Sequence, residues 1–541
     1  MRLEPQSGAL RVGILCDAGP MLCWQRASVE RLKEAGVRFC VIFRGRRTKS
    51  PNHGISNWLI EHAASWTSTL KEVPWPDFLR ELPVVELDEK AAALWPAEAE
   101  AMPDAIIDLR RSPRPLAFAV APRFGIWAFM VEGHSGQAAV EATLEAFASD
   151  RVPFSVALAS TYDDVGAPVQ YRQGMIGMEE SFTETIDRIF SLAVLWFGLL
   201  PVLADAGDSL ACPGTAPNSN SRAPRHIAFC LFLAGRRQAL SMLRRLLLFE
   251  RWNVGVCNIP IESLLDEAVE LFPAWQPELS GFRYIADPFA APDRPSEILC
   301  ELIDAWTFNR GVIARVHLEK GIREIVIDQP FHLSYPFPFE AGGQEFCLPE
   351  ASRSGRLVLY GRPNGDEDYS VSCRLLDVPA IDPTVVFWNG KWWLFCTTPE
   401  LPHANLGIWH TEDLNGPWLP HPLNPVKTDI RSARPGGTPF MWRGRLYRPT
   451  QDCSMTYGGA VNLMEVTWLD EHGFEERLVR RVAPCPGRYS AGLHTVSTFG
   501  DRILIDGKRY EFAPLLFLRR LARRLTDRIR GFEAKSQAAI Q

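Results

Sequence analysis

Several patterns are missing from the chain, and each absence removes a class of function. The 12 cysteines in 541 residues include no CxxC pair and no Cys/His cluster at zinc spacing, so neither a redox dithiol nor a zinc module is indicated. Thiols such as Cys16, Cys23, Cys40, Cys212, Cys230 and Cys257 read instead as reduced, mostly buried small hydrophobes. Basic residues are not in excess: 58 Lys and Arg stand against 64 Asp and Glu, a net charge of −6. Nucleic acid is therefore not expected as a partner. No GxGxxG follows the first apolar run, where Cys16 to Met21 reads CDAGPM, which disfavours a dinucleotide. Neither a cofactor nor a metal is called for. Met1 to Leu15 lacks the basic-then-apolar order of a secretory signal, so a cytoplasmic location is expected. The uncharged stretch Ile189 to Ala204 (IFSLAVLWFGLLPVLA) is shorter than the roughly 20 residues that span a bilayer and contains Pro201, which points to a buried helix.

What is present is a globular composition, 46% hydrophobic and 23% charged, on a chain too long for a single core. Arg11 to Asp17, Trp24 to Ala35 and Arg38 to Arg44 read as strand, helix and strand, and Ala105 to Leu109 and Phe124 to Val131 continue the alternation. Residues 1–150 are thus predicted to form a doubly wound α/β domain. Residues 151–250 read as a helical connecting region with a loop at Pro213 to Pro224 (PGTAPNSNSRAP). Residues 251–512 are strand-rich. Residues 513–541 end the chain, and Leu515 to Arg530 (LLFLRRLARRLTDRIR) places arginines among leucines at helical spacing. That pattern suits a helix on an anionic membrane surface, giving peripheral contact, and equally suits a helix packed on its own domain.

The order and spacing of the first elements resemble the N-terminal domain of formyltransferase-like proteins. The resemblance implies an Asn-x-His pair, a SLLP stretch and a distant Asp in active members, whereas Phe124 to Gln137 reads FGIWAFMVEGHSGQ with His134 alone. A degenerate domain with a scaffold or docking role is expected, and formyl transfer is not.

Five stretches share one design, a small polar or acidic group followed by an apolar hairpin around a turn. They are Ala286 to Leu302, Tyr335 to Leu348, Asp382 to Cys396, Gly437 to Pro449 and Leu493 to Ile505. The third is clearest, because Asn389-Gly390 between alternating hydrophobics is a strong hairpin signal. Copies spaced about 45 to 60 residues apart, none able to bury its own faces, indicate blades stacked about a channel, a five-bladed propeller. The first residues of each innermost strand then face the axis. Asp287, the neighbourhood of Tyr335, Asp382, Thr438 and His494 are expected to converge there.

Asp-Pro at the start of the first and third copies resembles the five-bladed propellers of arabinanases, β-xylosidases and invertases, where an Asp on each of these blades belongs to the acidic site. WNVGV (252–256), ADPF (286–289), LSYPFPFE (333–340), LPEAS (348–352), RPTQDCSMTYG (448–458) and LHT (493–495) are similar to the domain at the N-terminus of plant glucosamine inositolphosphorylceramide transferase. These resemblances imply a carbohydrate-active protein.

Chemistry at a glycosidic bond needs one ionised and one protonated carboxyl. Asp287 is the candidate base or nucleophile and Glu350 the candidate acid; the resemblance to the hydrolases implies that Asp382 tunes its neighbours and holds sugar hydroxyls. The hydrolase resemblance implies an acid on the fourth blade, but Ala433 to Gly437 reads ARPGG. Arg434 would instead supply a cation for a sugar phosphate. Arg434, Asp452, Tyr457 and His494 are the candidate substrate-binding residues, although Asp452 and His494 equally fit inter-blade hydrogen bonds. The expected activity is glycosyl transfer from an activated or lipid-linked sugar. Furanosidase-type hydrolysis and non-catalytic glycan binding are the alternatives.

Overall fold

The computed structural model describes residues 9–45, 67–87, 102–111, 122–161, 169–206, 212–213, 224–281, 283–291, 294–304, 310–362, 369–514, 516 and 518. Two compact units are present, Met1–Gln238 with Pro422–Ile430, and Ala239–His421 with Arg431–Gln541.

In the first unit, β1 (Arg11–Asp17), β2 (Arg38–Gly45), β3 (Val84–Leu87), β4 (Ala105–Asp108) and β5 (Ile126–Val131) form a parallel run in the order β3-β2-β1-β4-β5. The central strands β1 and β4 are buried along nearly their whole length, so they read as continuous apolar runs rather than alternating ones. Helices α1 (Cys23–Glu34) and α2 (Gly136–Ala148) cover the sheet. The expected helical connection begins differently: β6 (Phe154–Thr161) and β7 (Val169–Ile176) extend the same sheet antiparallel from β5. Small Ala and Ser residues in FSVALAST dilute the β-branched signal that marks a strand. A short parallel strand, Lys427–Asp429, pairs with β7.

The uncharged stretch at Ile189 to Ala204 is helical, in α3 (Phe182–Phe197) and α4 (Leu200–Ala206), and its Ile189, Phe190, Trp196, Phe197, Leu200 and Leu203 are buried. Ser181 caps α3 by accepting from Glu184 N, satisfying an otherwise orphan donor. Among the described residues no helix is long and apolar enough to cross a membrane. The interior of the Pro213 to Pro224 loop and nearly all of the Leu515 to Arg530 tail lie outside the described residues.

The second unit is a β-propeller. One antiparallel sheet runs β8 (Leu248–Cys257) with β25 (Arg502–Phe512) and β24 (Val496–Phe499); the short Ala274–Trp275 strand edges β8. Next come β9 (Arg283–Ala290), β10 (Glu297–Asp304), β11 (Gly311–His317) and β12 (Gly321–Ile327), in order. A third sheet is β13 (Ser334–Ala341), β14 (Gln344–Glu350), β15 (Leu357–Arg362) and β16 (Ser370–Leu376). Strands β17 (Ile381–Trp388), β18 (Lys391–Thr397) and β19 (Asn405–Thr411) follow, antiparallel, with Leu419–Pro420 on the edge of β19. Strands β20 (Phe440–Trp442), β21 (Arg445–Asp452), β22 (Ala460–Leu469) and β23 (Phe474–Val482) complete the set.

Pairing of β8 with β25 from Leu248↔Phe512 to Cys257↔Ile503 joins the two ends of this segment in one sheet. That closure ties the last sheet of the ring to the first. Apolar layers fill the gaps between neighbouring sheets. Val254, Ile285, Ile298 and Leu504 form one, Leu299, Ile313, Leu333 and Cys347 a second, and Phe337, Leu348, Val385 and Leu394 a third. Each such side chain contributes about 1.5–3 kcal/mol on burial.

The hairpins lie where the repeat placed them. Asn389 (φ 49°) and Gly390 (φ 80°) turn β17 into β18, the left-handed pair a two-residue turn of this hand requires. A second regularity was not visible beforehand. Asp287, Tyr335 and Asp382 all have left-handed backbone, with φ of 50°, 45° and 47°. Each precedes a proline, and each sits where its strand slips register against the next, at Ala286/Phe289, Ser334/Phe337 and Ile381/Thr384. Such positions cost on the order of 1–3 kcal/mol apiece. The bulge turns the side chain off the pleat and toward the axis.

Candidate active site

The three left-handed residues meet at the centre of the propeller. Asp287 Oδ2 accepts from Tyr335 N at 3.1 Å, and its Oδ1 accepts from Thr495 Oγ1 at 2.9 Å. Tyr335 reaches across the axis, its hydroxyl accepting from Gly437 N at 2.8 Å and lying 3.1 Å from Thr384 Oγ1. Gly437, two residues before Pro439 on the way into β20, has φ 135°, and a Cβ there would lie 1.7 Å from Val496 O. Only glycine fits this crossing.

Two charged groupings flank Tyr335. In the first, His494 Nδ1 is 2.5 Å from Asp506 Oδ2 and His494 Nε2 is 3.6 Å from Asp287 Oδ1. Asp506 also accepts from the backbone N–H groups of His494, Thr495 and Asp287. Trp252 stacks on His494 at 3.9 Å between centroids. In the second, Arg434 holds Asp382 with two bonds, Nε to Oδ2 at 2.5 Å and an NH2 bond to Oδ1 at 3.2 Å. Gln451 Nε2 donates to Asp382 Oδ2 at 2.6 Å. Glu350 lies beside them: its Oε2 accepts from Asp382 N at 3.4 Å and is 3.9 Å from Arg434, while its Oε1 accepts from Ser352 Oγ.

Burial and charge set the protonation states. Burial pushes Asp287 up to about 6; His494 pulls the other way, and Asp382 and Asp506 add to the rise. Asp382 is also pushed up to about 6 by burial, with Arg434 opposing and Glu350 adding. For His494 burial disfavours the imidazolium, but Asp506 and Asp287 more than offset it and its pKa is raised. Glu301, on β10, is held well above the usual carboxylate range by burial and by the charges of Asp287, Glu350, Asp382 and Asp506. Shifts of this kind mark functional sites, because a carboxyl poised near neutrality can both take and give a proton.

Asp287, His494 and Asp506 offer ligand atoms all within 4.8 Å of one another, the one such grouping among the described residues. With His494 Nδ1 bonded to Asp506 they satisfy one another as a triad, and we assign no metal to them.

Of the residues singled out from sequence, Asp287, Glu350, Asp382, Arg434 and His494 come together. Tyr457 joins them: the Arg434 guanidinium lies 5.0 Å from its ring centroid, and its ring meets His494 edge-on at 5.4 Å. Two of the candidates are held by neighbouring groups. Asp452 is spent on its own turn, accepting from Ser454 N and Oγ, and on Arg481 Nε at 3.0 Å. Arg434 is not a free cation for a phosphate, because Asp382 takes its Nε and one terminal nitrogen while the other lies 3.1 Å from His403 Nδ1.

Sequence reasoning missed Glu301, Asp506, Gln451 and Thr495. The acids lie mid-strand among apolar neighbours (ILCEL, ILIDG), where a carboxylate is costly. That cost was the signal available.

Residues 317–485 match the family described as glucosamine inositolphosphorylceramide transferase 1, N-terminal. This stretch carries that family's domain. It holds Tyr335, Glu350, Asp382, Arg434, Gln451 and Tyr457, whereas Asp287, Glu301, His494 and Asp506 lie outside it. Glucosamine inositolphosphorylceramide transferase 1 of Oryza sativa subsp. japonica is 36% identical over 158 residues, covering 28% of this chain and 21% of that protein. The Arabidopsis thaliana protein of the same name is 30% identical over 204 residues, covering 36% and 27%. The match thus spans about a fifth to a quarter of the length of these curated relatives. Among solved structures, Zg3597, a family 117 glycoside hydrolase of Zobellia galactanivorans, is similar at 13% identity over 49% of this chain and 92% of that one, with a TM-score of 0.32. The RS223 β-xylosidase is similar at 9% identity over 42% and 92%, also with a TM-score of 0.32.

Proposed function

We propose that the protein is a carbohydrate-active enzyme that transfers a glycosyl group from an activated or lipid-linked sugar, with its site on the axis of a five-bladed propeller. The observation that carries this reading is the arrival of Asp287 and Asp382, from different sheets, at the same left-handed bulge position around one axis. Strain of that kind persists where the surrounding structure enforces it for function. Asp287 takes the proton of the acceptor hydroxyl. The Asp382–Arg434 pair, fixed by Gln451, presents hydroxyl-binding groups. Tyr457, half-buried beside them, offers an aromatic ring to a sugar. The domain match supports a role in glycolipid assembly, since the matched relatives are named as glucosamine inositolphosphorylceramide transferases. Commitment of Arg434 to Asp382 shifts the preference toward the neutral glycosyl group rather than its phosphate.

A binding module is the second reading, favoured by one observation. Asp287, Glu350, Asp382 and His494 are all buried and bonded largely to one another. The first unit then serves as the formyltransferase-like docking scaffold, and the basic tail as a peripheral membrane contact.

Turnover across a panel of nucleotide- and lipid-linked sugars separates these. Transfer by the wild type, a loss of about 10³-fold in Asp287→Asn and little change in Asp452→Asn are expected. Saturable sugar binding without turnover would select the binding reading.

A further inference from the structure

Resting on the glycosyl-transfer reading, we infer that Glu301, rather than Glu350, is the acid of the axial site, the carboxyl that carries a proton and delivers it to the departing oxygen. Register places it there. On β10, Glu301 pairs with Ala286, the residue just before the left-handed Asp287; on β14, Glu350 pairs with Ser334, the residue just before the left-handed Tyr335. The two glutamates are therefore equivalent positions of successive sheets, and both are buried.

Charge then distinguishes them. Asp287, Glu301, Glu350, Asp382 and Asp506 interact in one buried cluster, in which Arg434 and His494 are the cations that contact carboxyls. Five ionised carboxyls against two cations would leave an uncompensated negative charge in a buried cluster, so the cluster retains a proton. Asp382 is bound by Arg434 and Gln451, Asp287 and Asp506 by His494, Thr495 and backbone N–H groups, and Glu350 already accepts on both oxygens.

Glu301 faces a neutral partner. Gly311 N–H donates to His332 Nδ1 at 2.8 Å, which fixes the remaining ring proton on Nε2, 3.3 Å from Glu301 Oε1. Burial and the neighbouring Arg353 lower His332 to about 4, so it orients Glu301 without ionising it. Tyr457, also charge-coupled to Glu301, is kept a neutral phenol by burial.

In the transfer step the bond from the anomeric carbon to the leaving oxygen breaks as that oxygen takes the Glu301 proton. The acceptor oxygen bonds to the same carbon and its proton passes to Asp287. Return of that proton from Asp287 to Glu301 resets the site, and no further reactant is needed.

Infrared difference spectroscopy of the full chain at neutral pH tests the proton directly, through the C=O stretch of a protonated carboxyl. The band should shift when glutamate is 13C-labelled at its side-chain carboxyl in the wild type, vanish in Glu301→Gln and persist in Glu350→Gln. A band that ignores the label, or survives Glu301→Gln, overturns the assignment. Turnover supplies the second arm. Glu301→Gln should lose about 10²–10⁴-fold on donors with a poor alkoxide leaving group and far less on an aryl glycoside whose leaving group needs no proton; equal loss on both overturns the acid role. If the wild type turns over no donor, the glycosyl-transfer reading fails, and the infrared arm still decides whether Glu301 holds the proton.

Discussion

Aspartate in a left-handed backbone is uncommon, and the propeller uses it twice, at Asp287 and Asp382, with Tyr335 at the equivalent place between them. Burial of Asp287 has a consequence for stability that can be measured. Its pKa rises from 3.8 to about 6 on folding, so the folded state binds the proton more tightly than the unfolded one. The stabilisation is complete below about pH 4 and is lost as pH rises through about 6. Asp287→Asn, which tolerates the same backbone and can keep its oxygen as acceptor for Tyr335 N while its amide N–H donates to Thr495 Oγ1, should gain on the wild type over that window. The gain should reach roughly 2–3 kcal/mol by pH 8. Thermal melts of both proteins from pH 4 to 8 check this, and a gap that stays constant would contradict it. At this scale the sequence was partly legible. Asp287 and Asp382 announce themselves as acids before proline at the head of an apolar run. Glu301 and Asp506 do not, because a mid-strand acid carries no local mark of which sheet face, or which neighbouring blade, it will meet.

At the scale of elements the hairpins were the most legible feature, since period-two alternation around a Gly turn is a local property that tertiary context seldom overrides. Gly390 and Gly437 illustrate two uses of glycine. A Cβ on Gly390 would meet nothing within 4 Å, whereas one on Gly437 would enter Val496 O. Gly390→Ala should cost about 1 kcal/mol, from the left-handed turn alone. Gly437→Ala should cost about 4 kcal/mol or more, because backbone from two sheets must separate and the Tyr335 hydroxyl loses its partner. Urea unfolding midpoints of the two variants measure the contrast, and equal midpoints would contradict the crossing described. The strands β6 and β7 were not legible. The small residues of β6 are set by packing against α3 and within the sheet, a long-range cause that a propensity reading does not contain.

Over the whole molecule, ring closure by β8 and β25 brings residues more than two hundred positions apart into one site. Thr495 reaches Asp287, and Arg434 reaches Asp382, only because the sheets close around a centre. That convergence was predicted from the repeat, but the commitment of Arg434 and the spending of Asp452 on Arg481 depend on side-chain geometry that no spacing encodes. The central claim is that this axial cluster is a carbohydrate site, and the most direct measurement is a crystal structure of the full chain soaked with a sugar donor that is turned over. The account predicts the sugar ring at the mouth of the axis, against Tyr457, with a hydroxyl or the glycosidic oxygen within hydrogen-bond distance of Asp287, Glu301 or Asp382. Sugar bound elsewhere on the molecule, with the axial carboxyls untouched, would contradict it.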